Sequence, residues 1–82
     1  MPYYFYILRC SDNSLYCGVT CDLQKRLLTH NTGKGAKYTR SRRPVVLIHS
    51  EGFNDKSSAL VREAQVKTWK KAKKEAFVAK TW

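Results

Sequence analysis

Five polar side chains in this sequence have types and spacings that could do chemistry: Tyr6, Tyr16, Arg26, His30 and Glu63. Tyr6 and Tyr16 lie ten positions apart in YFYILRCSDNSLYCGVT, and Cys17 and Gly18 follow the second. Arg26 and His30 lie four apart, so a helix would aim both the same way, as two groups suited to a phosphate. Glu63 has Ala59, Leu60, Ala64 and Val66 as helical neighbours and sits on or beside an apolar stripe. A carboxylate there is costly unless it is paired or holds a cation.

Each residue also has a plainer reading. Aromatic strand residues usually pack, which accounts for Tyr6 and Tyr16. His30 suits a helix-end hydrogen bond, Arg26 a solvated face, and Gly18 a bulge or a close backbone approach. Glu63 can pair with Lys67 at i+4, or with Arg62 beside it in poorer geometry. The other acids have local roles: Asp12 in a turn, Asp22 and Asp55 as caps, Glu51 at a strand end, Glu75 on a charged helix.

The elements that must position these groups can be read from local pattern. Residues 3–9, YYFYILR, are aromatic and β-branched and predict a strand. SDNS is a turn signal, and residues 14–20, SLYCGVT, make the return strand of an antiparallel hairpin. Side chains alternate along a strand, so Tyr4, Tyr6 and Leu8 share one face, as do Tyr16, Gly18 and Thr20. A three-residue loop, Ser11 to Asn13, would put both sets on the same side, and a four-residue loop would separate them. CDLQKRLLTHN predicts a helix capped by Thr20 or Asp22, with Leu23 and Leu27 as its apolar stripe. TGKGAKYTRSRRP, residues 32–44, reads as a flexible basic loop. PVVLIHSEGF predicts a third, largely buried strand. NDKSSALVREAQVKTWKK predicts a helix with Asp55, Ser57 or Ser58 as cap. The tail KKAKKEAFVAKTW predicts a second short helix, with Phe77 and Val78 packed back on the sheet.

The bulk numbers bound what such a chain can be. Its 82 residues suit one domain with a modest core, and 43% hydrophobic residues argue against disorder. Sixteen Lys and Arg against six Asp and Glu give a net charge of +10, which calls for a polyanion. Nucleic acid is the first candidate. Membrane-surface binding fits poorly, because the basic residues are not set opposite one long apolar helix face. No apolar run approaches the roughly 20 residues that span a bilayer. The N-terminal stretch lacks a basic leader and a small-residue cleavage site, so a cytoplasmic location is expected. Cys10, Cys17 and Cys21 form no C-x-x-C pair, and buried free thiols are expected in place of a zinc site.

Taken in order along the chain, these residues carry a resemblance. Tyr4-Phe5-Tyr6, Tyr16-Cys17-Gly18, Arg26, His30 and a distant Glu63 resemble the ordered motifs of the GIY-YIG nuclease superfamily. The chain looks most like its small stand-alone members. It is also similar to the nuclease domain of the catalytic subunit of structure-specific, branched-DNA endonucleases, mainly through HNTGKGAKYTRSRRPVVLI. The resemblance covers roughly residues 3–78. It implies an α/β fold, a GIY-YIG-like single domain over residues 1–82 with a three-stranded antiparallel sheet flanked by helices. It implies a metal-dependent endonuclease that hydrolyses phosphodiester bonds in DNA, structured or branched, in repair or recombination. Tyr6, Tyr16 and His30 would then line the active site, Arg26 would contact the scissile phosphate, and Glu63 would bind Mg2+ or Mn2+. An ordinary phenol has a pKa near about 10, so a tyrosine base would need a nearby cation or metal to lower it, a field that Arg26 and the metal together could supply. Lys34, Lys37, Tyr38, Arg40, Arg42, Arg43, Lys67, Lys70, Lys71, Lys73 and Lys74 would hold the nucleic acid, DNA or RNA, on either side.

The match has departures. Tyr4 and Phe5 stand where the name-giving motif has glycine and isoleucine, and Cys17 replaces isoleucine. Some branches place a lysine where this chain has Val19, so the catalysts of those branches do not carry over whole. No separate DNA-binding module is legible, so substrate choice would come from the domain itself or from a protein partner. A charge of +10 would also suit a non-catalytic nucleic-acid-binding module of the same fold, or an adaptor for an acidic protein.

Overall fold

The structure is a computed structural model that describes residues 2–80. Three strands, β1 (Tyr3–Arg9), β2 (Leu15–Thr20) and β3 (Val46–Phe53), form an antiparallel sheet in the order β2-β1-β3. Four helices follow or interrupt them: α1 (Leu23–Asn31), α2 (Lys37–Arg40), α3 (Lys56–Lys67) and α4 (Lys71–Lys80).

The β1–β2 hairpin fixes the placement of the tyrosines. Cys10 N–H donates to Ser14 O at 2.9 Å, and Asn13 N–H donates to Cys10 O at 2.9 Å. These bonds close a three-residue loop, Ser11 to Asn13. Asn13 takes a left-handed φ of 69°, which Asn tolerates better than most residues. Asp12 tightens the loop by accepting from the Ser14 backbone N–H at 3.0 Å. The resulting register sets Leu8 opposite Tyr16 and Tyr6 opposite Gly18. Both tyrosines therefore lie on one face, as a loop of that length requires.

The sheet divides the core into two layers. On one face Phe5, Ile7 and Cys17 pack with Val66 of α3 and Val78 of α4, backed by Trp69 and Phe77. Phe5 and Ile7 are wholly buried, each contributing about 1.5–3 kcal/mol on burial. On the other face Tyr6, Leu8, Cys10 and Val45 pack with Tyr16 and with Leu23 and Leu27 of α1.

Four local expectations need correction. β3 is half-exposed, with Val46 at 58%, because the strand order leaves it on an edge of the sheet. Residues 32–44 are not a loose loop. They contain α2, and both main-chain polar groups of Val45 are bound by the Asn31 side chain at 2.7 and 3.0 Å. The helix expected over residues 54–71 stops at Lys67, where Trp69 turns to meet Phe77 with ring centroids 5.4 Å apart. Cys21 is exposed, whereas Cys10 and Cys17 are buried, and all three are free thiols. The tail helix expected to reach residues 81 and 82 is described only to Lys80, since those two lie outside the described residues.

Candidate active site

The site lies on the α1/α2 face of the sheet. Asp22 caps α1 by accepting from Lys25 N–H at 3.0 Å, which sets the helix phase. That phase brings Arg26 and His30, one turn apart, onto the same phenol. Arg26 Nε donates to Tyr6 Oη at 3.4 Å, and Tyr6 Oη lies 3.1 Å from His30 Nε2. His30 Nδ1 in turn lies 2.8 Å from Thr39 Oγ1 of α2, and Thr39 Oγ1 donates to Ala36 O at 3.0 Å.

The two ends of this line fix the direction of every bond in it. A guanidinium only donates, and a carbonyl only accepts. Thr39 spends its hydroxyl proton on Ala36 O, so it accepts from His30 Nδ1–H. His30 Nε2 is then the bare acceptor, and Tyr6 donates to it. The imidazole is neutral, with its free lone pair aimed at a phenolic proton.

Burial holds both partners neutral. Tyr6 and His30 are 2% and 0% exposed. Burial raises the Tyr6 pKa above its ordinary value; Arg26 pulls it down, and Tyr16 and Glu63 add to the rise. Desolvation outweighs the guanidinium, so Arg26 on its own does not favour a phenolate. Burial and then the Arg26 charge push His30 below its ordinary pKa.

Tyr16 completes the cluster from β2. Its ring meets His30 edge-on, with centroids 5.3 Å apart, and stacks on Tyr38 at 5.9 Å. The Arg42 guanidinium lies over the Tyr38 ring, 4.0 Å from its centroid. Gly18 and Gly35 make room: a Cβ at Gly18 would fall 2.5 Å from Tyr6 Cζ, and one at Gly35 2.8 Å from His30 Cγ. Beside the cluster, Arg26 lines a groove of about 240 Å³ together with Thr20, Cys21, Asp22, Lys25 and Thr29.

Glu63 comes from the other layer, on α3. It is the one acid whose charge registers at the Tyr6 phenol, and its side chain is 19% exposed. It pairs with Lys67 at 3.6 Å, the i+4 partner the helix spacing predicts, while Arg62 turns away to Glu51 at 3.0 Å. Among the described residues no group of three or more His, Cys, Asp or Glu could hold a metal. A single carboxylate fits Mg2+ or Mn2+ in one way: Mg2+ keeps several waters and takes one or two carboxylates plus substrate phosphate.

The basic residues divide by engagement. Lys34, Lys37 and Arg40 are exposed. Arg42 is tied to Asp12 at 3.0 Å and to Tyr38 O at 2.7 Å, and Arg43 donates to Arg40 O at 2.8 Å. Lys71 pairs with Glu75 at 3.5 Å, and Lys73 sits 4.5 Å over the Trp69 ring. Lys70 is exposed, and the charges of Lys67 and Lys74 register at Cys17. Thr39 is the site residue the sequence does not disclose. Its contact with His30 spans nine positions, and nothing in its own neighbourhood marks it.

A β2-β1-β3 sheet carrying a Tyr–His–Arg cluster on one face and a glutamate on the helix behind it defines a small α/β domain of the GIY-YIG kind. The chain belongs to the GIY-YIG catalytic domain family, whose sequence model matches residues 2–76. It is 57% identical over 76 residues to a UPF0213 protein of Bacillus pumilus (strain SAFR-032), covering 93% of this chain and 78% of that one. It is 48% identical over 77 residues to UPF0213 protein NP_0776A of Natronomonas pharaonis, covering 94% and 91%. The fold matches the solution NMR structure of the UPF0213 protein BH0048 from Bacillus halodurans, with a TM-score of 0.62 and 44% identity over 96% of this chain and 84% of that one. It also matches that of EF2693 from E. faecalis, with a TM-score of 0.66 and 41% identity over 99% and 86%. No helix among the described residues is long and apolar enough to cross a membrane.

Proposed function

We propose that the chain is a metal-dependent endonuclease that hydrolyses phosphodiester bonds in DNA, with structured or branched DNA as its substrate and repair or recombination as its setting. The observation that carries this is the bond polarity from Arg26 through Tyr6 and His30 to Thr39. It presents a proton acceptor, a phenol and a guanidinium within one cluster.

Tyr6 works as a relay, so its raised pKa is no obstacle. A water oxygen attacks phosphorus and gives its proton to Tyr6 Oη, while the phenolic proton passes to His30 Nε2. The P–O bond to the leaving strand breaks, and the leaving oxygen takes a proton from solvent. No free phenolate forms. Arg26 donates to the phosphoryl oxygens as charge gathers on them. Tyr16 holds the imidazole edge and borders the reacting phosphate. Glu63 would hold the divalent cation, which supplies charge stabilisation to the phosphoryl and leaving oxygens. The exposed Lys34, Lys37 and Arg40 would draw the backbone in, and RNA could follow the same path. A protein partner would refine substrate choice.

The Glu63–Lys67 ion pair favours a second reading, a non-catalytic nucleic-acid-binding module, because it gives the carboxylate a partner without a metal. One assay separates the two. Labelled branched, flapped, single-stranded and duplex DNA, with matched RNA, is incubated with wild type and Glu63→Gln, with and without Mg2+ or Mn2+. The nuclease reading expects metal-dependent cleavage that vanishes in Glu63→Gln. Binding without cleavage by wild type on every substrate would overturn it.

A further inference from the structure

Where the ends of α1 and α2 meet the 41–44 segment, an open cleft of about 430 Å³ is lined by Asn31, Arg40, Ser41, Arg43 and Pro44. We infer that this cleft is a discrete site for one backbone phosphodiester of the nucleic-acid strand, distinct from the scissile phosphate. The inference rests on the nucleic-acid reading above and names a second contact for the same substrate.

Charge accounting is the first support. The chain has six side-chain carboxylates. Glu51, Glu63 and Glu75 are paired with Arg62, Lys67 and Arg9, and Asp12 with Arg42. Asp22 and Asp55 cap helices. None of them lines the cleft or pairs with Arg40 or Arg43. Arg40 and Arg43 thus line one cleft without a side-chain carboxylate partner among the described residues, and an external anion would balance them.

The second support is that Arg43 is held in place. Its Nε donates to Arg40 O at 2.8 Å and its Nη1 to Asn31 O at 3.4 Å, the last residues of α2 and α1. Main-chain carbonyls orient the fork without neutralising it, which leaves a planar cation suited to phosphate oxygens. Gly33, at φ 83°, lies directly against it, and a Cβ there would come within 3.2 Å of Arg43 Cζ. That backbone conformation and that closeness both favour glycine. The same two helices hold His30 against Thr39. A phosphate gripped here would therefore fasten the substrate to the elements that orient the imidazole.

The test is equilibrium binding without metal. Fluorescence anisotropy of a labelled branched oligonucleotide in EDTA is followed against salt for wild type, Arg40→Gln and Arg43→Gln, with thermal melts alongside. Arg40→Gln is decisive, because none of the hydrogen bonds or ion pairs among the described residues uses its guanidinium. Each substitution is expected to weaken binding and to lower the log–log salt slope by about 0.7–0.9, the value of one phosphate contact. Wild-type affinity and slope in a folded Arg40→Gln and Arg43→Gln would overturn the site. A second arm follows the arginine Nε–Hε resonances of the wild type with inorganic phosphate and with the oligonucleotide. Shifts at Arg43 with the oligonucleotide alone support a diester. Saturation by inorganic phosphate that displaces the oligonucleotide would overturn that assignment in favour of a free or terminal phosphate. Absence of cleavage in the metal assay would sink the nuclease reading and leave this binding result standing.

Discussion

Tyr6 Oη stands 3.1 Å from His30 Nε2, and the bonds beyond each partner require the phenol to be the donor. Removing the hydroxyl therefore removes the hydrogen-bonded bridge between Arg26 and the imidazole. Tyr6→Phe is expected to lower single-turnover cleavage by about 100-fold or more, the usual worth of a positioned proton-transfer group. It also leaves a buried imidazole nitrogen unbonded, at a cost of about 1–3 kcal/mol in a chemical denaturation curve. A folded Tyr6→Phe that cleaves at the wild-type rate would eliminate the relay.

The pH profile follows from the directions of the two shifts. His30 is lowered from 6.5, so its acceptor form persists below that pH, and the acid limb of kcat/KM should fall with a midpoint below 6.5. Tyr6 is raised from 10.0, so no loss from its ionisation is expected until above that value. Stability has a related sign. Below pH 6.5 the unfolded chain binds a proton at this histidine more readily than the folded one, so stability should fall as pH drops through that value. A rate profile with its acid midpoint above 6.5 would contradict a buried neutral His30.

Thr39 makes a sharper test, because it touches no substrate in this arrangement and acts through the imidazole. Thr39→Val keeps the shape and removes the acceptor for Nδ1–H. The proton is then free to move to Nε2, where it would face the phenol instead of receiving from it. Cleavage is expected to drop by about tenfold or more, Thr39→Ser to restore it, and the ring nitrogen chemical shifts of His30 to report a changed tautomer. Unchanged shifts in Thr39→Val would remove Thr39 from the line.

Much of this arrangement is legible in local sequence, and the rest depends on distant contacts. The aromatic run of β1, the SDNS turn and a cap at Thr20 or Asp22 are decided within a few residues, and the i+4 spacing gives the shared aim of Arg26 and His30. The shared face of Tyr6 and Tyr16 turns on a loop length that the residues alone leave open and the structure sets at three. The Glu63–Lys67 pair follows from helix spacing alone. The exposure of β3 does not, because strand order is set by nonlocal pairing, and an apolar PVVLI run looks the same at an edge as at the centre. Helix α2 is also hidden. Its four residues are held by the Thr39–His30 bond and by Arg42 reaching Asp12 in the hairpin loop, not by their own propensities.

Arg9 and Glu75 tie the end of β1 to α4 through two bonds of 2.9 and 2.6 Å. Arg9 holds the Glu75 carboxyl down at about 2, against an ordinary 4.5. A depressed carboxylate stabilises fully above its unfolded value and loses that contribution as pH falls towards the folded one. Glu75→Gln is expected to cost about 1 kcal/mol at neutral pH, since solvent screens a pair that is one-third exposed. The gap between the melting temperatures of wild type and variant should close between pH 4.5 and about 2. A gap that stays constant over that range would show that the pair contributes nothing.

Gly18 allows the chemistry to be disturbed without touching a reactive group. It lies on the edge strand directly opposite Tyr6, and the phenol crosses the space a side chain would fill. A Cβ at 2.5 Å from Tyr6 Cζ is closer than packed atoms tolerate, so Gly18→Ala must move either the strand or the ring. The strand is anchored by its ladder to β1 and by Cys17 in the opposite core, so the ring is the part that gives. It can only swing away from β2, which breaks its bonds to Arg26 and His30. Gly18→Ala should therefore resemble Tyr6→Phe in cleavage rate while keeping every reactive side chain, with an overpacking cost of about 1–3 kcal/mol. Paired melts and single-turnover rates check this. A stable Gly18→Ala with wild-type cleavage would mean that the position of the phenol over Gly18 does not matter to the reaction.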